Sequence, residues 1–513
     1  MNRVGIALSV ERDYERLMEL ILRGSMELTN ADGGTMYRVT KEKELRFEVI
    51  INQSLQIASG GTSETKINFP HIPLYIDGKP NYFNIVSCCV HGERTIKIDN
   101  VYNSIDYDFQ GTRKFDSANG YKTVSMLTIP MKNHENDVIG ALQLINCKDD
   151  GHTVSSFLET DRHLAESLAS QAAVAVTNKE LIADLQNLFD SFTQLIAKAI
   201  DEKSPYTGNH CRRIPLLTMM LADAVSATDS GPLATYQLSA SDRLELNTAA
   251  WLHDCGKVTS PDFIMDKSTK LETICDRIEI VDLRIELLIH QIELEHWRVS
   301  SQHQKLPVEL VNKINELRNA RTFLRNANVG GESLSDEDIN KVISIASLEY
   351  KNVDLNIENI LSENEKYNLI VKRGTLNEEE RLVINNHMVA TVDMLNAMPF
   401  PKHLKRVPEF AGGHHERMDG KGYPKGLTKD EMSVPARVMA IADIFEALTA
   451  SDRPYKKGKK ISECLKIMER MSKEQHIDQD LFSIFIEKKI WLHYAQEELQ
   501  SYQIDIIDWE VSQ

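Results

Sequence analysis

The sequence predicts an α+β protein: an N-terminal antiparallel sheet with helices, a long connecting helix, and an all-α C-terminal domain that carries a helical insertion. Three observations predict this order. Short β-rich segments separated by turn formers occupy residues 10–156, an uninterrupted helical pattern runs over 157–201, and helix periodicity dominates from 202 onward.

The opening stretch ERDYERLMELILRGSMELTN sets Leu17, Leu20, Ile21 and Leu28 at helical spacing. Strand-like segments follow: GGTMYRVT, LRFEVII, VSMLTIPMK and VIGALQLINC. The polar NHEND segment joins Val124–Met131 to Val138–Ile145 as an antiparallel hairpin. In the connecting helix, Leu181, Leu185, Leu188, Phe192, Leu195 and Ala199 step by 4, 3, 4, 3 and 4. That is a coiled-coil seam, and it predicts a helix paired with its copy in a homodimer. The alternative is one helix, kinked once and packed on both domains.

Residues 202–470 form the main helical domain, with a loop-rich interval at 412–435 and an insertion at 272–372. Within the insertion Ile274, Ile278, Val281, Ile285, Leu288 and Ile292 form one seam. After a turn near SSQHQKLP, Leu310, Ile314 and Leu317 form a second. A further helix starts at Ser335, where Asp338 completes a capping box. The insertion holds no residue that chemistry would require. Residues 471–513 read as a C-terminal helical extension.

Charge and cysteine content narrow the function. With 59 Lys+Arg against 76 Asp+Glu the net charge is −17, which disfavours nucleic-acid polymers and anionic membranes as partners. No run of about 18 apolar residues predicts a membrane span. The charged start MNRVGIALSVERDYERL is not the pattern of a secretory leader. Seven cysteines, odd in number and without a CxxC pair, predict reduced thiols, a cytoplasmic setting and no Cys-based zinc site.

The chemistry lies in the histidines. His210 stands in YTGNHCRR, His253 and Asp254 in AAWLHDCGK, His387 in EERLVINNHM, His414 and His415 in GGHHERMDGKGYPKGL, and Asp443 in RVMAIADIFEALT. Each lies at or near a predicted helix or its end. A lone buried His–Asp pair is usually a satisfied polar contact. Five imidazoles and two carboxylates together, one of them in an apolar helix where an unpaired charge is costly, point to a borderline divalent metal such as iron, manganese or zinc. Adjacent helical residues diverge by about 100°, so His253–Asp254 and His414–His415 do not simply clamp one ion. A carboxylate that bridges two ions satisfies the pattern, as in two-metal phosphoesterases. Lys257 then adds positive charge for a phosphoryl transition state, or serves only as a helix C-terminal cation after Gly256.

HDCGK, HHERMDGKGYPKGL and ARVMAIADIFEALTASDRPYK resemble the HD-GYP subgroup of the HD phosphohydrolase superfamily, over about 190–270 and 374–470. The resemblance implies hydrolysis of cyclic di-GMP, or in some members of cyclic GMP-AMP. It implies that His210, His253, Asp254 and Asp443 hold one ion, and that Asp254 bridges to a second held by His387, His414 and His415. Lys257 would contact the scissile phosphate, Tyr423 the substrate wall, and Arg453 and Lys456 the phosphates or guanines. Members with a third metal carry Glu four residues before the first histidine. Tyr206 stands there, so two divalent ions (iron or manganese) and linear pGpG as product are expected.

From the residues alone, Tyr423 stacks on a base or fills a gap, and RPYKKGKK touches phosphate or is a solvated face. The region 10–180, with its IPMKN…VIGALQLIN hairpin and long exit helix, resembles a GAF sensor domain. A small-molecule ligand or a purely dimerising role follows, and Phe115 and Asp116 faintly match cyclic-nucleotide-binding relatives. Two other classes stay open: a non-catalytic adaptor, against which the complete donor set argues, and an HD phosphohydrolase with another substrate, against which the GYP loop and RPYK argue.

Overall fold

The computed structural model describes residues 11, 13–149, 152–203, 209–299, 305–331, 333–451 and 458–509. The chain divides into two units, Met1–Leu188 and Phe189–Gln513.

The first unit is a helix-backed antiparallel sheet. Helix α1 (Tyr14–Leu28) begins where Asp13 accepts a hydrogen bond from the Arg16 N–H, and it buries Leu17, Met18, Ile21, Leu22 and Met26 along one face. The strands β1 (Ala31–Val39), β2 (Glu44–Asn52) and β3 (Ile57–Gly60) follow. Helix α2 (Ile85–Gly92), strand β4 (Ile96–Ile98) and helix α3 (Gln110–Asn119) lead to β5 (Met126–Lys132) and β6 (Val138–Lys148). Strand order is β3-β2-β1-β6-β5-β4, with every pairing antiparallel, and two short strands flank β2 and β6. The β5–β6 hairpin pairs Met126 with Ile145 and Ile129 with Leu142.

Each face of the sheet has its own apolar layer. One packs α1 and the alanines Ala165, Ala169, Ala172 and Ala173 of the long helix over Met36, Leu142 and Leu144. Small side chains let that helix lie close to the sheet. The other packs α2 and Phe109 against Tyr37 and Met126. Asp116 is buried and accepts from the Thr123 N–H, the Thr123 hydroxyl and the Tyr102 hydroxyl, so its carboxylate is consumed in closing a loop. A cavity of about 440 Å³ opens between α1 and β2–β3, lined by Tyr14, Phe47, Glu48, Thr65 and Lys66.

Helix α4 (Glu159–Lys203) runs 45 residues, as the seam periodicity predicts. Leu181, Leu185, Leu188, Phe192 and Leu195 are 52–66% exposed, so the seam is uncovered by the described residues.

The second unit is mainly helical. Helices α5 (His210–Ser226) and α6 (Ala240–Leu252) come first. The insertion supplies α7 (Ile278–Val299), α8 (Val308–Asn328), α9 (Asp336–Ala346), strands β7 (Glu349–Lys351) and β8 (Ile357–Asn359), and α10 (Glu363–Leu369). Then come α11 (Glu378–Asn385), α12 (His387–Ala397), α13 (Val407–Gly412), α14 (Val434–Thr449), α15 (Ile461–Lys473), α16 (Gln479–Glu487) and α17 (Ile490–Glu498). The main core joins Leu217, Leu246, Phe410, Phe445, Phe485 and Trp491.

The insertion has a separate core of Val281, Ile285, Leu317, Leu324, Val342 and Leu369. Its ends are clamped together: Lys267 Nζ lies 2.7 and 2.8 Å from the Glu380 carboxylate and 3.2 Å from Asn368 Oδ1. The capping box at Ser335 and Asp338 forms as expected. Beside its helices the insertion carries the short antiparallel β7–β8 hairpin. One expectation needs correction. Ile274 is 99% exposed and outside the seam, because Asp276 Oδ1 accepts from the Ile278 N–H and starts the helix four residues later.

Candidate metal centre

Four chain breaks and one apolar helix converge. His210 is the first residue of α5, and His253 is the residue that ends α6. The chain then tightens into a 3₁₀ turn, Cys255–Thr259, which turns Asp254 and Lys257 back toward His253. His387 opens α12 after α11 ends at Asn385, and His414 and His415 follow the end of α13. Asp443 lies in α14 among Val438, Met439, Ala440, Ile441, Ala442 and Phe445, all buried. A helix that ends at a functional residue releases its side chain from helical spacing, so two neighbours can turn toward one centre. His253 with Asp254, and His414 with His415, each fall in a single donor group, against the expectation that adjacent residues do not clamp one ion, and Asp254 alone belongs to both groups.

The two oxygens of Asp254 face different histidines. Oδ2 lies 3.3 Å from His210 Nε2 and 3.1 Å from His253 Nε2, while Oδ1 lies 3.3 Å from His387 Nε2 and 3.9 Å from His414 Nε2. Asp443 Oδ1 is 3.5 Å from His210 Nε2. His415 sits against His414 and His387, with ring centroids 4.2 and 5.4 Å away. Two groups of donors able to hold an ion result, sharing Asp254: His210, His253 and Asp254, and Asp254, His387, His414 and His415.

The remaining nitrogens are anchored. His253 Nδ1 is 2.8 Å from the Ala250 carbonyl, His414 Nδ1 is 2.6 Å from that of Ala411, and His387 Nδ1 meets that of Ile384. Each uses the carbonyl three residues back, which presents Nε2 to the centre. His210 is instead held by Glu446 Oε2, 2.6 Å from Nδ1.

A set of buried donors that do not satisfy one another fits a cation. Asp254 Oδ1, His387 Nε2 and His414 Nε2 are buried without a hydrogen-bond partner among the described residues. Such atoms are costly unless something else pairs them, and mixed imidazole–carboxylate donors are what a divalent transition metal takes. Burial pushes His414 down to about 4, and burial and the His414 ring hold His415 well below the ordinary imidazole value, so both rings are neutral lone-pair donors at pH 7. Burial alone would raise Asp254, but His253 and the Lys257 ammonium beside it hold it well below the usual carboxylate range. Burial likewise opposes a charge on His210, yet Glu446 and Asp254 hold it up to about 10.

Lys257 Nζ reaches Asp254 Oδ2 at 2.5 Å, with its side chain 23% exposed. It sits on the 3₁₀ turn, three residues beyond Asp254. Lys203, the last residue of α4, fixes that turn by donating to the carbonyls of Lys257, Val258 and Ser260 at 3.3, 2.7 and 2.6 Å. Tyr423 is stacked on His415 with centroids 4.8 Å apart, and its N–H donates to the His415 carbonyl. The ring thus braces a histidine of the centre. Glu416 is buried and accepts from the Lys425 and Leu427 N–H groups at 2.7 and 2.9 Å, which shapes the loop carrying Tyr423. Arg453, Lys456 and Tyr206 lie outside the described residues.

Sequence reasoning missed Glu446 and Glu416. Glu446 bears the signal that singled out Asp443, a carboxylate in an apolar helix. Glu416, within HHERMDG, reads as an ordinary loop charge.

The chain carries an N-terminal GAF domain and a C-terminal HD domain: the GAF domain family matches residues 13–176, and the HD domain family matches residues 362–481. The relatives it matches include cyclic dinucleotide phosphodiesterases. It is 38% identical over 118 residues to the 3′3′-cGAMP-specific phosphodiesterase 1 of Vibrio cholerae, covering 23% of this chain and 26% of that protein. It is 44% identical over 73 residues to a cyclic di-GMP phosphodiesterase of Pseudomonas aeruginosa, covering 14% and 17%. To the cyclic di-GMP phosphodiesterase of Thermotoga maritima it is 32% identical over 130 residues, covering 25% and 35%. The matches therefore span at most about a third of these relatives' lengths. Among the described residues, no helix is long and apolar enough to cross a membrane.

Proposed function

We propose that this chain is a metal-dependent phosphodiesterase that opens cyclic di-GMP to linear pGpG under control of its N-terminal domain. The observation that carries this reading is Asp254, whose oxygens each face a separate histidine group, as a carboxylate shared by two cations must. His210, His253, Asp254 and Asp443 would hold one ion, and Asp254, His387, His414 and His415 the other. The donor set suits iron or manganese. When bound, two such ions would supply a nucleophile at neutral pH and would neutralise charge on the phosphoryl oxygens.

The chain's own residues do the rest. Buried helix ends exclude bulk water and hold the imidazoles in fixed orientation. Lys257 places a cation beside Asp254, where charge grows on a phosphoryl oxygen in the transition state. Lys257→Met is therefore expected to lower kcat by about 10²–10³-fold while metal content stays at the wild-type level. Steady-state kinetics beside elemental analysis of the same preparation checks it. Loss of both together would make Lys257 a structural partner of Asp254 instead.

A second reading, cyclic GMP-AMP as substrate, is favoured by the likeness to the Vibrio cholerae enzyme. Metal-loaded protein is incubated with each dinucleotide and the products are resolved by chromatography. Cyclic di-GMP converted to pGpG supports the first reading, and faster turnover of cyclic GMP-AMP supports the second. No turnover of either by fully loaded protein contradicts both and favours an adaptor.

The exposed α4 seam supports a homodimer, since apolar residues at 4-3 spacing pair with their own copy. Sedimentation should give a dimer for the wild type and a monomer for Leu185→Glu combined with Phe192→Glu. A monomeric wild type contradicts the pairing.

A further inference from the structure

The histidines of the centre are not held alike. His253, His387 and His414 each present Nδ1 to the backbone carbonyl three residues earlier. Those carbonyls come from the helix or turn that has just ended. His210 begins its helix, and among the described residues its Nδ1 is held by a side chain from another element. Glu446 is 1% exposed, and its Oε2 lies 2.6 Å from His210 Nδ1. Its other oxygen, Oε1, lies 3.2 Å from Arg213 Nη1. Glu446 stands three residues after Asp443 on α14, so one helix face brings both carboxylates to His210 from opposite ring edges. Arg213 is itself 3.7 Å from Glu498 of α17, which Arg212 also contacts, so the Glu446 carboxylate is braced from the far side.

We propose that Glu446 is a positioning residue: it accepts the Nδ1 proton of His210, fixes that tautomer and ring plane, and so turns the Nε2 lone pair toward His253, Asp254 and Asp443. An anionic acceptor makes the imidazole a stronger donor than a carbonyl does. Glu446 thereby tunes the ion on the His210 side and leaves the His387–His414–His415 side alone. This rests on the two-ion reading of the preceding section.

The test is Mn²⁺ titration of metal-free full-length protein, followed by equilibrium dialysis and elemental analysis, on wild type, Glu446→Gln, His210→Ala and the double variant. Glu446→Gln is expected to weaken one of two binding steps by about 10–100-fold and to leave the other within about twofold. In the His210→Ala background the same change should add less than about twofold, because Glu446 acts through that ring. An equal loss at both steps, or the same loss with and without His210, would overturn the proposal. A wild type that binds fewer than two ions would instead overturn the two-ion reading, which separates the two failures. Should Glu446→Gln not fold, the wild type alone decides. In the Zn²⁺-loaded protein, long-range ¹H–¹⁵N spectra of the His210 ring should show a proton on Nδ1 and none on Nε2, and the reverse tautomer would refute it.

Discussion

An Asp254→Ala chain is expected to lose both cations together and, with them, measurable hydrolysis. Among the described residues Asp254 is the donor that both groups share: Oδ2 meets His210 and His253, and Oδ1 meets His387 and His414. Removing an outer-shell partner costs about 10–100-fold in metal affinity, and a shared donor must cost more at each of two sites. The substitution also leaves the Lys257 ammonium without the carboxylate it now touches at 2.5 Å, so the pocket becomes more positive and repels cations further. Elemental analysis and turnover of one preparation measure both effects. Full activity with one ion retained would show that Asp254 does not bridge.

The second large effect is on folding. In Gly256→Ala the new Cβ would lie 2.0 Å from the His387 carbonyl oxygen and 2.5 Å from the Thr391 nitrogen, and both atoms are backbone. No rotamer relieves such a contact, so the 3₁₀ turn and α12 must separate. The Gly256 N–H also donates to Thr391 Oγ1 at 2.9 Å, and that bond would stretch. Overpacking of this kind typically costs about 1–3 kcal/mol, and this case belongs at or above the upper end. Because α12 carries His387 and the turn carries Asp254 and Lys257, metal binding should fall along with Tm. Calorimetric melting of wild type and variant, each with and without Mn²⁺, gives both quantities. A Tm within about 2 °C of wild type, against the 4–8 °C that 1 kcal/mol moves a small domain and the 2–4 °C it moves a larger one, would mean that α12 is not held this closely.

The glycine also explains why the HDCGK string is so compact. Helix α6 stops at Leu252, and the chain must reverse beside α12 within a few residues. A side chain at 256 would hold the two segments apart. Sequence reading alone sees a glycine between Cys255 and Lys257 and assigns it to helix termination. The close approach to α12 is a tertiary fact, involving residues about 130 positions downstream, and local pattern does not contain it.

The donors are legible because they break local rules. Asp443 is a charge in an apolar helix, and His253–Asp254 and His414–His415 are polar pairs set against small and apolar neighbours. The structure brings His210, His253, Asp254, His387, His414, His415 and Asp443 into one cluster. The long helix and the β5–β6 hairpin are legible for the opposite reason, namely sustained periodicity. What escapes is whatever depends on neighbours distant in sequence. Strands β7 and β8 are three residues each, too short for alternation to register. Ile274 fits the heptad count but loses its place because Asp276 starts the helix. Tyr423 admits a base or a gap as its partner, whereas the ring lies on His415, a contact fixed by the fold of the loop around Glu416.

The metal content of the purified, fully loaded wild-type chain, set beside that of Asp254→Ala, tests the shared-carboxylate centre most directly. About two ions per chain in the wild type and close to none in the variant is the expected result. One ion or fewer in the wild type, or two retained in the variant, would contradict it.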